Sequence, residues 1–158
     1  MKIKNSVLMG SAIIILIFFS AGFWAFVSYQ KKHFSCESEV TLIQGDAVYD
    51  VIMDYAFNDG AGRFHSVGNL QADGKSINIS KTLSFTYVQE NGNIIMTSED
   101  NHVSDKSLDS QIPYIPDFFS YSGRGMSMKI IQQNQSGYLF IHNDAPLFYC
   151  TRTKRKDL

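Results

Sequence analysis

The stretch Ser76 to Thr97, SINISKTLSFTYVQENGNIIMT, carries the local signature that decides the fold. Leu83, Phe85 and Tyr87 alternate with polar residues, the period of two that places every second side chain on one face of a β-strand. Asn91-Gly92 then breaks the alternation. Both residues tolerate positive φ, and this dipeptide is the strongest short-range hairpin signal a sequence offers. Asn93 to Thr97 returns antiparallel, so the chain reads locally as a β-hairpin.

Upstream, Ala72-Asp73-Gly74 and Asn58-Asp59-Gly60 are turn signals. Between them Gly62, Phe64, Ser66, Gly68 and Leu70 alternate with Arg63, His65, Val67 and Asn69, and the glycines predict a bulge or sharp bend. Before that, Tyr49, Val51, Met53, Tyr55 and Phe57 alternate with Asp50, Ile52 and Asp54. A helix can also be drawn through Val48, Val51, Ile52 and Tyr55, but the β-branched and aromatic content favours a strand. Glu39 to Gln44 reads as a first strand.

Downstream, the periodicity is lost between Glu99 and Gly125, a stretch holding Pro113, Pro116 and the aromatic group Phe118, Phe119 and Tyr121. Its length predicts a segment that caps or gates the sheet, or that contacts a partner or ligand, against the plainer alternative of a packed surface loop with one helical turn. Met126 to Gln133 and Gly137 to His142 form a second hairpin, and Pro146 to Cys150 a last edge strand. The chain is therefore mainly β. This many antiparallel strands within residues 36–150 predict a strongly curved sheet or a small lipocalin-like β-barrel, which closure frees of exposed edges. A sandwich stays open. A barrel interior can hold a small apolar ligand.

Val7 to Tyr29 is a run of 23 residues without a charge. At ~1.5 Å per residue a helix of this length reaches about 35 Å, enough for a hydrocarbon core of ~30 Å. Lys2 and Lys4 precede it and Lys31 and Lys32 follow, so the positive-inside count is nearly balanced. The short N-terminal tail predicts an uncleaved signal anchor, with the N-terminus cytoplasmic and the domain exported. The rival is a cleaved signal peptide with Ser20 and Gly22 before Phe23, although the apolar run continues through Val27. The predicted divisions are a cytoplasmic tail (1–6), a transmembrane anchor (7–29), a juncture (30–35), a periplasmic β-domain (36–150) and a basic tail (151–158).

Cys36 opens that domain and Cys150 closes it. Their placement predicts a disulfide that staples the whole module in an oxidising compartment; two unrelated thiols, one of them buried, are the alternative. From Glu37 to Asp144 there are 14 acidic residues and six basic ones, a net charge of -8. Such a domain repels a phosphate backbone, so direct nucleic-acid binding is not expected. Arg152, Lys154, Arg155 and Lys156 form a basic tail that a Cys36–Cys150 bond would hold near the lipid bilayer, where it can meet anionic headgroups; a frayed, solvated terminus is the alternative.

No nucleophile elbow, P-loop, HExxH helix or Cys-x-x-Cys pair is present, so neither an enzyme nor a cofactor is expected. His65, His102 and His142 are candidate pH sensors, since imidazole titrates near pH 6.5. They lack metal-ligand spacing, and isolated hydrogen-bonded or solvated histidines are the plain alternative.

One span, Cys36 at the start of the domain, the Phe57-x-x-Gly60-x-Gly62 element followed by Gly68 and Leu70, the Leu83-Ser84-Phe85-x-Tyr87 strand and the terminal Pro146-Leu147-Phe148-Tyr149-Cys150 come in a familiar order. The chain resembles the FidL-like membrane proteins of enteric bacteria and, more loosely, the ToxS-type partners of ToxR-like regulators, such as the accessory proteins of the Psa and Myf fimbrial activators. The resemblance implies a bitopic inner-membrane protein. Its periplasmic domain would bind and stabilise that of a membrane-anchored ToxR-like transcription activator of fimbrial or virulence genes, helping it respond to acidity or a bile-type ligand. A stand-alone periplasmic module for lipids or small molecules, and an envelope assembly factor, are the other classes the residues allow.

Overall fold

The computed structural model describes residues 2–103 and 115–153, with side chains described over 14–99 and 115–153. Two compact units result, one ending at His33 and one beginning at Phe34. The first is the helix α1 (Lys2–Lys32), which extends the apolar run at both ends. Its segment Ile14–Lys32 has the length and composition to cross a membrane. Phe18, Phe19 and Trp24 are exposed on it. A helix apolar on all sides is suited to lipid rather than water. At its end the His33 ring stacks on Tyr29, centroids 3.9 Å apart, and Nδ1 donates to the Tyr29 carbonyl at 2.9 Å.

The second unit is a closed antiparallel barrel of eight strands in sequence order. They are β1 (His33–Gln44), β2 (Ala47–Asn58), β3 (Ala61–Ala72), β4 (Lys75–Glu90), β5 (Asn93–Val103), β6 (Gly125–Asn134), β7 (Gly137–His142) and β8 (Ala145–Arg152). The alternation read over Tyr49 to Phe57 is a strand, not a helix. Tight turns set the hairpins. Asn91 and Gly92 have φ of 51° and 81°, and Asp59-Gly60 and Asp73-Gly74 repeat that pattern. Positive φ at both central residues matches the right-handed twist of the flanking strands. Asn143-Asp144 forms a turn of the same kind without glycine, where Asn and Asp bear the left-handed conformation better than other side chains.

Three expectations change. Pro146 to Cys150 is not an edge: β8 pairs with β7 and also with β1, placing Arg152 opposite Cys36 and Thr151 opposite Glu37. Strand β5 runs on to Val103, so the aperiodic stretch is shorter than its sequence suggests. Strand β3 carries no bulge, since its register with both neighbours is continuous from Ala61 to Leu70; the shift lies on β4 between Leu83 and Phe85. The β3 glycines serve packing instead. A Cβ on Gly62 would strike the Phe85 ring, and one on Gly68 would lie 2.6 Å from the Asp50 carbonyl and from the Tyr49 ring.

Every strand turns one row inward. Phe57 stacks on Phe34 at 4.6 Å and meets Phe85 edge-on at 5.5 Å, while Tyr55 packs against Phe64 and Phe140 at about 5 Å. Such pairs add roughly 0.5–1.5 kcal/mol each beyond the area they bury. Cys36 and Cys150 are joined, both fully buried, with Cα atoms 5.4 Å apart across the β1–β8 seam. The bond fastens the two strands whose pairing closes the barrel.

Candidate functional site

A recess of about 130 Å³ enters the barrel among β1 to β4. The inward row of β2 supplies Tyr49, Val51 and Met53, and β3 supplies Phe64. Leu42 stands at the mouth, 40 % exposed. Ile115, Pro116 and Phe119 form a lip of the recess. The lip is built by Pro116, whose extended backbone (φ -57°, ψ 144°) leads into the short 3-10 helix Asp117–Phe119. That turn sends two consecutive rings in different directions. Phe118, 1 % exposed, enters the core and meets Phe85 edge-on at 5.9 Å; Phe119 leans over the recess against Phe64 at 4.9 Å.

Two polar side chains break this apolar lining. Ser66 on β3 and Lys81 on β4 are 5 % and 4 % exposed and lie directly opposite each other in the strand register. Both occupy inward positions of the alternation, so the fold rather than a local distortion delivers them to the interior. An ammonium in an apolar wall acts at low effective dielectric, where its pull on an anion is several times that at a solvated surface.

The residues singled out from sequence disperse. Of the aromatic group, Phe118 is core, Phe119 forms the lip and Tyr121 is exposed, with Arg124 6.0 Å from its ring centre. His65 lies on the outer face of β3, its Nδ1 3.0 Å from Thr82 Oγ1, whereas His142, half-buried at the end of β7 in the row of Tyr138 and Phe140, donates from Nδ1 to the Ser127 carbonyl at 2.8 Å. The backbone register lines up Asp54, His65, Thr82 and His102 across β2 to β5, whereas His142 sits apart on β7. The side chain of His102 lies outside the described residues. So do Lys154, Arg155 and Lys156; Arg152 belongs to β8, its backbone N–H donating to the Ser136 carbonyl at 2.8 Å.

Ser66 and Lys81 escaped the sequence reading, yet a signal existed. Carrying the Leu83-Phe85-Tyr87 row back by twos reaches Lys81 and then Ile79, a charge in a row otherwise bound for the core. Among the described residues no group of three His, Cys, Asp or Glu side chains is placed to hold a metal.

Burial sets the ionisation of the interior phenols. Desolvation holds the Tyr55 hydroxyl well above its ordinary range, and Tyr138 shifts the same way by burial, opposed by the nearby charge of Arg152. Neither group lines the recess.

A search of curated proteins finds no match for this chain. The family model described as YqeJ C-terminal domain does match, over residues 33–150, from the first residue of β1 to the disulfide cysteine of β8 and well over half of the 158 residues, and the chain belongs to that family.

Proposed function

We propose that the chain is a membrane-tethered accessory protein without catalytic activity. It sits in the bacterial inner membrane with its N-terminus cytoplasmic and its barrel in the periplasm, where it binds and stabilises the exported domain of a membrane-anchored ToxR-like transcription activator. The observation that carries this reading is the outer wall of the barrel. Ile52 lies opposite Val67 and Val88 opposite Ile95, and all four side chains are exposed. Paired β-branched residues facing water on a sheet are suited to being covered by a second protein. The spanning helix and the buried disulfide support export to an oxidising compartment. The Asp54-His65-Thr82-His102 row supports a response to acidity, because a carboxylate and two imidazole-bearing positions share one level of the sheet.

The test is co-expression of the full chain with a candidate regulator, followed by co-purification at neutral and acidic pH. Association at either pH, with slower regulator proteolysis, is expected. No association at either pH overturns the partner reading. A second reading, a binding module for a small apolar ligand, is favoured by the recess between β1 and β4 and is compatible with the first.

A further inference from the structure

We infer that the recess binds a single-chain amphiphile with an anionic head, a medium-chain carboxylate, with the head at Lys81 and Ser66 and the chain directed toward Leu42. This inference rests on the second reading above and names its ligand. Depth is the first argument. Lys81 and Ser66 are 4 % and 5 % exposed, whereas Leu42, lining the same space, is 40 % exposed. The polar groups therefore lie inward of Leu42, and from the level they share with Met53 the β2 row runs through Val51 and Tyr49 toward the β1–β2 turn, on whose other strand Leu42 stands. A ligand matching this order has its polar end inside and an apolar body behind it.

Charge decides the sign of that polar end. Ser66 can donate or accept, but an ammonium only donates, so the pair selects an acceptor and, at low dielectric, a negative one. An ammonium has three N–H groups, and one is enough for a carboxylate oxygen, whatever else Lys81 contacts. The remainder of the domain sharpens the choice. With a net charge of -8 between Glu37 and Asp144, its surface repels anions, so an anion that binds does so through a local interior cation. Size sets the apolar body. A cavity of about 130 Å³ resembles the ~150 Å³ apolar cavity that accommodates one benzene, which suits one unbranched chain or a single ring and not a fused ring system.

The probe is octanoate, titrated calorimetrically into the full chain in phosphatidylcholine nanodiscs, with empty nanodiscs as the blank for partition into lipid. 1-Octanol and octyltrimethylammonium keep the chain and change the head. Saturable 1:1 octanoate binding at least tenfold tighter than either is expected. Lys81→Met, which keeps the stem and removes the charge, is expected to weaken octanoate at least tenfold while leaving octanol unchanged, and Lys81→Arg to restore most of the loss. Octanol or the cation binding as tightly as octanoate overturns the anionic head but leaves the ligand site. If none of the three binds, the recess is no ligand site and both readings of it fail, while the regulator reading stands or falls on co-purification. Should Lys81→Met fail to fold, the three heads compared on the unaltered chain still decide the matter.

Discussion

Tyr55 shows how a single interior residue ties the barrel to pH. Its ring lies among Phe57, Phe64, Phe140 and Phe148, and it is 1 % exposed. Burial raises its folded pKa above the ordinary value near 10. Above about pH 10 the unfolded chain loses this proton and the folded chain keeps it, so the folded state binds more protons and stability falls as pH rises. Below pH 10 both states are protonated and the contribution is whole. The expected loss is at most about 1.4 kcal/mol per pH unit for one such group. Tyr55→Phe should therefore unfold less readily than the unaltered protein between pH 10 and 11 and differ little at pH 8, checked by denaturant titration at each pH. An unchanged alkaline slope would show that the barrel does not protect this phenol. Gly62 makes a complementary point about shape. A Cβ there would strike Phe85 and lie 3.0 Å from the Ala56 carbonyl, and Phe85 is held by Phe57 and Phe118. Gly62→Ala is expected to cost about 1–3 kcal/mol of stability, read as a lower thermal midpoint of the barrel.

Among the elements, the β1–β8 seam governs the fold's integrity. Two register pairs and the Cys36–Cys150 bond join strands that are 114 residues apart at the cysteines. Ser38 Oγ adds a hydrogen bond to the Tyr149 carbonyl at 2.9 Å, and Thr153 N–H donates to the Ser35 carbonyl at 3.0 Å. Linking such distant positions restricts the unfolded chain by up to about 5 kcal/mol in the chain-entropy model, and removing a native disulfide from a small exported domain commonly costs 2–5 kcal/mol. Cys36→Ser combined with Cys150→Ser is expected to lower unfolding stability by about that amount under oxidising conditions, and reductant should then have no further effect. Equal stability of the variant and the oxidised protein would remove the seam bond from the account. This seam also marks the limit of what is legible in sequence. Hairpins between neighbours are readable because Asp59-Gly60, Asp73-Gly74 and Asn91-Gly92 are local signals. The β1–β8 pairing has no local signature, and β8 taken alone resembles an edge; the two cysteines were its sole advance notice. The recess was less legible still. It depends on Lys81 being inward, which period two implies, and on Phe118 and Phe119 diverging from a 3-10 turn after Pro116, which no periodicity encodes.

At the scale of the whole molecule, the central issue is what an apolar helix long enough to cross a membrane contributes to a barrel that already closes on itself. If the barrel binds a membrane-anchored activator, the helix confines both to one plane, and avidity arithmetic allows an apparent gain of about 10²- to 10⁴-fold without any new contact. The alternative is that the helix itself recognises the activator's span. Ser20 and Gly22 are small residues of the kind that allow close helix approach; Gly22 has no atom within 4 Å of a would-be Cβ, and Ser20 Oγ already donates to the Ile17 carbonyl at 2.9 Å within its own helix. A Ser20 hydroxyl already engaged within the helix, and an apolar surface exposed on all sides, favour a tether over a specific seam. Replacing Val7 to Tyr29 with an unrelated apolar span of equal length should then leave co-purification and protection of the activator within about threefold. Exporting the barrel without any span should reduce both by at least the lower end of the avidity range. A replacement span that abolishes protection, while the barrel remains folded, oxidised and exported, would shift recognition from the outer β-wall to the helix.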